Sequence, residues 1–362
     1  MDGLMRIIIT GGGTGGHLFP GIALATALQE QGRECEIMFI GTSRQLDQDT
    51  LAGYDFATAS ISCMGLKGKG LFNRLKSISI LPGAVMDAMR IIKNFQPDLV
   101  FGVGGYVTGP VLMAAKLLSV PTCIHEQNSV PGLANRMISR FVDRVFISIP
   151  GPSFPDKKTV VTGNPVRQEI LTAAENRKPE NASPLTLLVL GGSLGAHRIN
   201  LLMVEAMAAI TSNEEIDVEI LHQTGRADEE TVRAGYEKNG VTADVAPFYT
   251  DMAGVYQKAD LVVARAGATT LAELAVMGLP ALLIPYPYAA DDHQARNAQY
   301  YVAGGGAVMY REEELTGERL AEVLKEMLSG SGERQIMSAN MKKMGRPEAT
   351  RRIVDDCLQL IS

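Results

Sequence analysis

Cysteine is scarce in this 362-residue sequence. Cys35, Cys63, Cys123 and Cys357 lie far apart, with no CxxC pair among them. That excludes a disulfide framework and a zinc site of the usual spacing, and it suits a reduced cytosolic setting. Positive charge is also short: 34 Lys and Arg against 40 Asp and Glu leave a formal net charge of −6. That balance argues against general nucleic-acid binding, which needs a basic face. No apolar run approaches the roughly 18 residues that a membrane-spanning helix requires. Nor does the N-terminus read as a signal peptide, because its apolar run is short and leads straight into a glycine loop.

What is present is the composition of a globular α/β enzyme, 46% hydrophobic and 20% charged, with 37 glycines and 17 prolines. The length allows two domains, each with a full core. Short β-branched runs alternate with helical patterns. Strands are expected at residues 6–10, 36–40, 98–102, 120–124, 144–148 and 158–161, then at 185–190, 216–222, 242–246, 260–264, 280–284 and 306–310. Unbroken apolar strands between helices read as parallel strands buried on both faces. The polar, proline-bearing run 175–184 reads as a hinge. Two runs, GGGTGGH (11–17) and GGSLGAH (191–197), share the pattern G-G-x-x-G-[GA]-H after an apolar strand, so the halves repeat on the scale of whole domains. The expectation is an α/β protein of two Rossmann-like, doubly wound domains facing a cleft. The last stretch, with Ile353, Val354, Cys357, Leu358 and Ile361 on one helical face, is expected to pack as a terminal helix.

A strand that ends in glycines and enters a helix presents backbone N–H groups and the positive end of the helix dipole, which suits phosphate. Gly11, Gly13 and Gly16 approximate the dinucleotide fingerprint, but no acidic residue ends the second strand to bind a ribose. A nicotinamide enzyme is disfavoured. His17 stands in the first turn, as a packing residue or as a general base. His197, its counterpart in the second loop, reads as structural. Further loops follow strands, where open α/β sheets bind ligands. GVGGYVTGP (102–110) carries Gly104, Gly105 and Tyr106, and HEQNSVPG (125–132) carries His125, Glu126 and Asn128. The second is either a polar turn or a source of a base and sugar contacts. In ARAGATTLAEL, Ala268, Thr269, Thr270 and Leu271 open a helix, and Glu273 either complements its dipole or grips a ribose diol. LDQDT (46–50) and DDH (291–293) are weak as metal sites, and no required metal is expected.

Eight strings occur in order: GTGGHLFPG, GLKGKG, GGYVTGP, HEQN, GNPVR, GGSLGA, ARAGATTLAEL and GLPALLIPYP. With them the chain resembles, over almost its whole length, the MurG family of UDP-N-acetylglucosamine transferases, which convert lipid I to lipid II in bacterial cell-wall synthesis. The resemblance implies a GT-B fold and an inverting, metal-independent transfer without a cofactor. It implies an acceptor domain over 1–164, joined by a helix at about 342–362, and a donor domain over 165–341. Ser193 and Arg167 would lie near the donor diphosphate, with Thr14, Gly15 and Gly16 closing over it and Asn128 near the sugar. The helix opened by Ala268, Thr269, Thr270 and Leu271 would point at the diphosphate, Glu273 would bind the ribose, and Gln294 the sugar hydroxyls. The family's FxxDM segment reads FYTDM here, which makes Tyr249 the backbone contact for uracil. Gly12, Gly13, Gly104, Gly105 and Tyr106 would meet the acceptor. His17 and Glu126 both remain candidates for the base.

A lipid-linked acceptor requires reaching a membrane without crossing it. Residues 65–95 are basic within an acidic whole, with Leu71, Phe72, Leu75, Ile78 and Ile80 interleaved. They read either as a docking face for anionic lipid or as an amphipathic core helix with a solvated basic side. The first reading places the protein peripherally on the cytoplasmic face of the plasma membrane, and the resemblance suggests partners in a cell-wall synthesis complex. Rival readings are a GT-B transferase for another lipid, a UDP-sugar epimerase and a non-catalytic nucleotide-binding protein.

Overall fold

The structure is a computed structural model. It describes residues 4–12, 15–30, 34–42, 51, 53–63, 71–151, 154–177, 184–192, 195–211 and 217–361. Gly13, Thr14, Ser193 and the stretches LDQDT and GLKGKG lie outside the described residues, as do the side chains of Leu71, Phe72, Leu75 and Ile78. The chain divides into two compact units, Met1–Arg167 with Pro347–Ser362, and Gln168–Arg346.

The first unit is built on a seven-stranded sheet. Its strands are β1 (Met5–Gly11), β2 (Cys35–Gly41), β3 (Ala57–Ser60), β4 (Leu99–Gly104), β5 (Thr122–Glu126), β6 (Arg144–Ile147) and β7 (Thr159–Val161). All pair in parallel, in the order β3-β2-β1-β4-β5-β6-β7. The run of isoleucines in β1 serves both faces of this sheet. Ile7 and Ile9 pack with Leu18, Ile22 and Leu28 of the helix Gly15–Gln29, whereas Ile8 packs with Ala88 and Ile92 of the helix Leu71–Phe95. This is why an apolar run without alternation forms a strand here. β3, with the sequence ATAS, is not expected from the sequence, because it is a mostly exposed edge strand with no apolar run. The closing helix Ala349–Ile361 buries Ile353, Val354 and Cys357 in the same cluster as Ile7 and Ile9, with Leu358 and Ile361 partly covered. An Arg144–Asp356 ion pair at 3.0 Å fixes its outer side to β6.

The second unit repeats the plan with β8 (Leu185–Leu190), β9 (Val218–Gln223), β10 (Ala243–Ala246), β11 (Leu261–Ala264), β12 (Ala281–Leu283) and β13 (Ala307–Met309). The order is β10-β9-β8-β11-β12-β13, again all parallel. In each sheet the order reverses next to the strand that carries the glycine loop, at β1/β4 and at β8/β11. Loops at such a switch point diverge above and below the sheet and leave a crevice for a ligand.

Ile353→Ala is expected to destabilise the first unit by about 2–5 kcal/mol. Hydrogen exchange checks it: amides of β1 and β4 should lose protection while those of β8 and β11 keep theirs. Equal loss in both units would contradict the packing described.

Candidate active site

In the first unit, three loops meet above the C-terminal ends of β1, β4 and β5. The loop after β4 lies directly on the one after β1. Gly105 has φ +87°, and a Cβ on it would stand 2.5 Å from the Gly12 carbonyl oxygen. A Cβ on Gly104, at φ +107°, would stand 2.9 Å from Nδ1 of His17, so the imidazole occupies the space that a side chain there would fill. The Thr108 hydroxyl donates to the Gly104 carbonyl at 2.8 Å, closing the loop that carries Tyr106.

His17 is half-buried, and its Nδ1 lies 3.2 Å from Oε1 of Gln127. Gln127 is buried, and its Nε2 donates to the Val103 carbonyl at 2.7 Å. The amide is therefore oriented: reversed, it would set its oxygen against a carbonyl oxygen. Nδ1 of His17 must carry the proton, which leaves the lone pair on Nε2.

The first half of the HEQN run is strand rather than polar turn, because β5 continues through His125 and Glu126. His125 is wholly buried, with Nε2 3.1 Å from the Gly163 carbonyl, and burial pushes its pKa down from 6.5 to about 4. The Glu126 carboxylate is also buried. It accepts from the Asn128 backbone at 3.1 Å, the Asn128 side chain at 3.2 Å, the Gly132 backbone at 3.0 Å and Asn135 Nδ2 at 2.9 Å. Four donors fill its four lone-pair sites. The helix Leu133–Ile138 and the turn before it are wound around this one carboxylate. Arg167, at the end of the first unit, places its guanidinium 5.0 Å from the centre of the Phe19 ring, two residues beyond His17.

In the second unit the glycine loop rests on the end of β9. Gly195 has φ +80°, and a Cβ there would lie 2.2 Å from the Thr224 carbonyl oxygen. Gln223 bridges two loops, donating to the Gly192 carbonyl at 3.2 Å and accepting from the Tyr249 backbone N–H at 3.0 Å. His197 opens the helix His197–Thr211 with Nδ1 2.8 Å from Asp228. The helix Ala268–Met277 follows β11, its first turn formed by Ala268, Thr269, Thr270 and the buried Leu271. Glu273 is buried in that helix and accepts from the Tyr256 hydroxyl at 2.9 Å. Gln294 accepts from the Tyr286 backbone at 2.9 Å, which leaves its NH2 as the donor end. Of the DDH run, Asp292 pairs with Arg311 at 2.7 Å and His293 Nδ1 lies 2.8 Å from the Ala290 carbonyl. Among the described residues no group of three or more His, Cys, Asp or Glu is placed to hold a metal.

Comparison with known proteins decides what these loops belong to. The glycosyltransferase family 28 N-terminal domain matches residues 7–147, and the family 28 C-terminal domain matches residues 186–353. Over 359 residues the chain is 47% identical to the UDP-N-acetylglucosamine--N-acetylmuramyl-(pentapeptide) pyrophosphoryl-undecaprenol N-acetylglucosamine transferase of Desulfotalea psychrophila, covering 99% of this chain and 97% of that one. A protein of the same name from Syntrophus aciditrophicus is 43% identical over 362 residues, covering 99% of each. The crystal structure of MurG from Acinetobacter baumannii matches with a TM-score of 0.79 at 33% identity, over 98% of this chain and 99% of that one. The chain belongs to the MurG family of glycosyltransferases.

Within this MurG-family chain the two Rossmann-like units are the two domains of a GT-B fold. The first brings together Gly12, Gly104, Gly105, Tyr106, His17 and Arg167. The second gathers its glycine loop, Tyr249, the Ala268–Met277 helix and Gln294 at the ends of its strands. Sequence reasoning passed over Gln127 and Gln223, the amides that hold the loops. The signal was there: each stands among the polar residues that close a largely buried strand, Gln127 just after β5 and Gln223 at the end of β9.

The buried histidines make acid stability predictable. His125 has its folded pKa lowered to about 4, and His222, buried against Tyr236 and Asn200, to about 3. Between 6.5 and these values the unfolded state binds more protons than the folded one. Their contribution is therefore complete above pH 6.5 and is lost as pH falls, reaching about 3 kcal/mol for His125 near pH 4. His125→Phe should flatten the fall in first-unit stability between pH 6.5 and 4, measured by urea unfolding. An unchanged slope would place the acid sensitivity elsewhere.

Proposed function

We propose that this chain transfers N-acetylglucosamine from UDP-N-acetylglucosamine to lipid I, forming lipid II, with inversion at the anomeric carbon and without a metal or cofactor. The observation that carries the mechanism is the orientation of His17. Gln127 holds the proton on Nδ1, so Nε2 is the atom that takes the proton from the attacking acceptor hydroxyl. Glu126 is already engaged: its carboxylate accepts four hydrogen bonds that shape the loop carrying Gln127 and Asn128, and a proton taken up there would displace one of those donors.

The second domain holds the donor. The carbonyl of Tyr249 is the backbone group left for uracil, its N–H being taken by Gln223. Tyr256 orients the carboxylate of Glu273 for the ribose, and the NH2 of Gln294 faces the sugar hydroxyls. Charge builds on the leaving diphosphate. The N-terminus of the Ala268–Met277 helix contributes roughly 0.3–2 kcal/mol there. Arg167 contributes about 1.5–3 kcal/mol through a charged hydrogen bond, and the family resemblance assigns Ser193, Thr14, Gly15 and Gly16 to the same diphosphate. In the first domain Gly12, Gly13, Gly104, Gly105 and Tyr106 receive the acceptor pyrophosphate and its sugar, with Asn128 near the transferred sugar.

Among the described residues no helix is long and apolar enough to cross a membrane. We assign lipid contact to one face of the first domain, at the cytoplasmic surface of the plasma membrane. The helix Leu71–Phe95 packs Ala84, Ala88 and Ile92 inward and leaves Leu81 and Met86 exposed. The neighbouring helices Thr108–Leu117 and Leu133–Ile138 expose Met113, Leu117, Leu133 and Met137, and Phe141 follows. Basic Arg90, Arg136 and Arg140 lie along the same elements.

Two experiments test this. In EDTA, UDP release from UDP-N-acetylglucosamine should require a lipid I analogue, and His17→Ala should lower kcat about 10²–10⁴-fold with little change in donor KM. Release without acceptor would favour an epimerase or hydrolase, rescue by magnesium would restore the metal, and unchanged turnover would remove His17 as the base. Separately, Leu117→Glu with Phe141→Glu should weaken sedimentation with anionic phospholipid vesicles. Undiminished binding would move the docking face elsewhere.

A further inference from the structure

The C-terminal ends of β5, β6 and β7 are tied together by a buried polar cluster that none of the steps above uses. His125 reaches the Gly163 carbonyl with Nε2 at 3.1 Å. Ser148, just after β6, lies 3.3 Å from the same nitrogen, and the Thr162 hydroxyl, just after β7, donates to the Gly163 carbonyl at 3.0 Å. Because a carbonyl can only accept, Nε2 carries the proton of this ring. The ring is neutral at pH 7, since burial lowers its pKa to about 4. Among the described residues its buried Nδ1 has no hydrogen-bond partner. The polar contact this ring makes is therefore the one through Nε2 to the Gly163 carbonyl, while Nδ1 makes none.

The chain leaving this cluster is short and stiff. Residues 162–166 are all buried, Gly163 takes φ +94°, and Pro165 restricts the backbone further. Arg167 follows immediately, half-buried, with its guanidinium on Phe19. The segment is therefore held at its start by His125 and at its end by Phe19. Both anchors adjoin the base: Phe19 is two residues after His17, and His125 is two residues before Gln127.

We infer that His125 is a positioning residue, whose Nε2–H bond to the Gly163 carbonyl fixes residues 163–167 and so places Arg167 for the nucleotide diphosphate. The inference rests on the reading of Arg167 as a diphosphate ligand. It makes β5 a common support, with His125 setting the cation and Gln127, two residues on, setting the base.

A double-mutant cycle read by UDP binding to the full chain tests it. His125→Phe keeps the volume and removes the N–H. It is expected to weaken UDP binding about tenfold in the wild-type background, the size of one charged contact misplaced, and by less than about twofold beside Arg167→Ala. His125→Gln, whose amide Nε2 can replace the imidazole N–H, should bind within about threefold of wild type. Equal losses with and without Arg167 would overturn the inference, because general loosening does not depend on that side chain. Should His125→Phe fail to fold, Ser148→Ala enters the same cycle, and additivity there overturns the inference likewise. A wild-type chain that binds no UDP would instead overturn the donor reading, and the inference with it.

Discussion

The Gln127 side chain donates to the Val103 carbonyl at 2.7 Å and receives the Nδ1 proton of His17 at 3.2 Å. The arrangement of the first domain's loops depends on that amide. It joins the loop ends of β4 and β5 to the helix that follows β1, and it decides which nitrogen of His17 is basic. The neighbouring residues then have defined tasks. Gly104 clears the space in which the imidazole lies, and the buried Glu126 carboxylate winds the turn after Gln127 into one shape. An amide suits this place because it orients the ring without bringing a charge to it.

The second domain uses the same plan with a different partner. His197 is also held through Nδ1, but by Asp228, whose other oxygen accepts from Asn200. Asn200 in turn meets His222, and His222 meets Tyr236. This chain of bonds runs into the interior, whereas the Gln127 bond sits at the loop surface. Two domains that begin with the same glycine pattern therefore diverge in what stands next to the histidine. Gln223, meanwhile, does for the second glycine loop what Gln127 does for the first, bridging strand ends by amide bonds.

A parallel sheet covered on both faces forces this arrangement. Its strands must be apolar through their middles, so polar side chains can enter only at their ends. Buried there, they must find partners among neighbouring strand ends, because an unpaired polar group is costly away from water. His125, Glu126, Gln127, His222 and Gln223 are buried polar residues near the C-terminal ends of strands, each with at least one such partner. The loop-bearing face of the sheet and the supporting core are thus continuous, and His125 belongs to both.

Strand content was legible locally. The apolar runs of β1, β4, β8 and β11, the two glycine loops after strands, and the amphipathic face of Ile353, Val354 and Cys357 all follow from residue spacing, since burial on both faces demands continuous apolar stretches. The eight ordered strings identified the family. β3 was hidden because an exposed edge strand needs no apolar pattern. The roles of individual polar residues were hidden for another reason. His17 and Gln127 are 110 positions apart, and His125 and Gly163 are 38 apart. Glu126 looks like a base in the sequence and is a saturated loop anchor in the structure, since its donors converge only once β5 has paired and the turn has closed. Residue type and order determined the fold and the chemistry on offer. Which atom carries each proton was decided only by tertiary structure, because a hydrogen bond depends on where the partner lies in space.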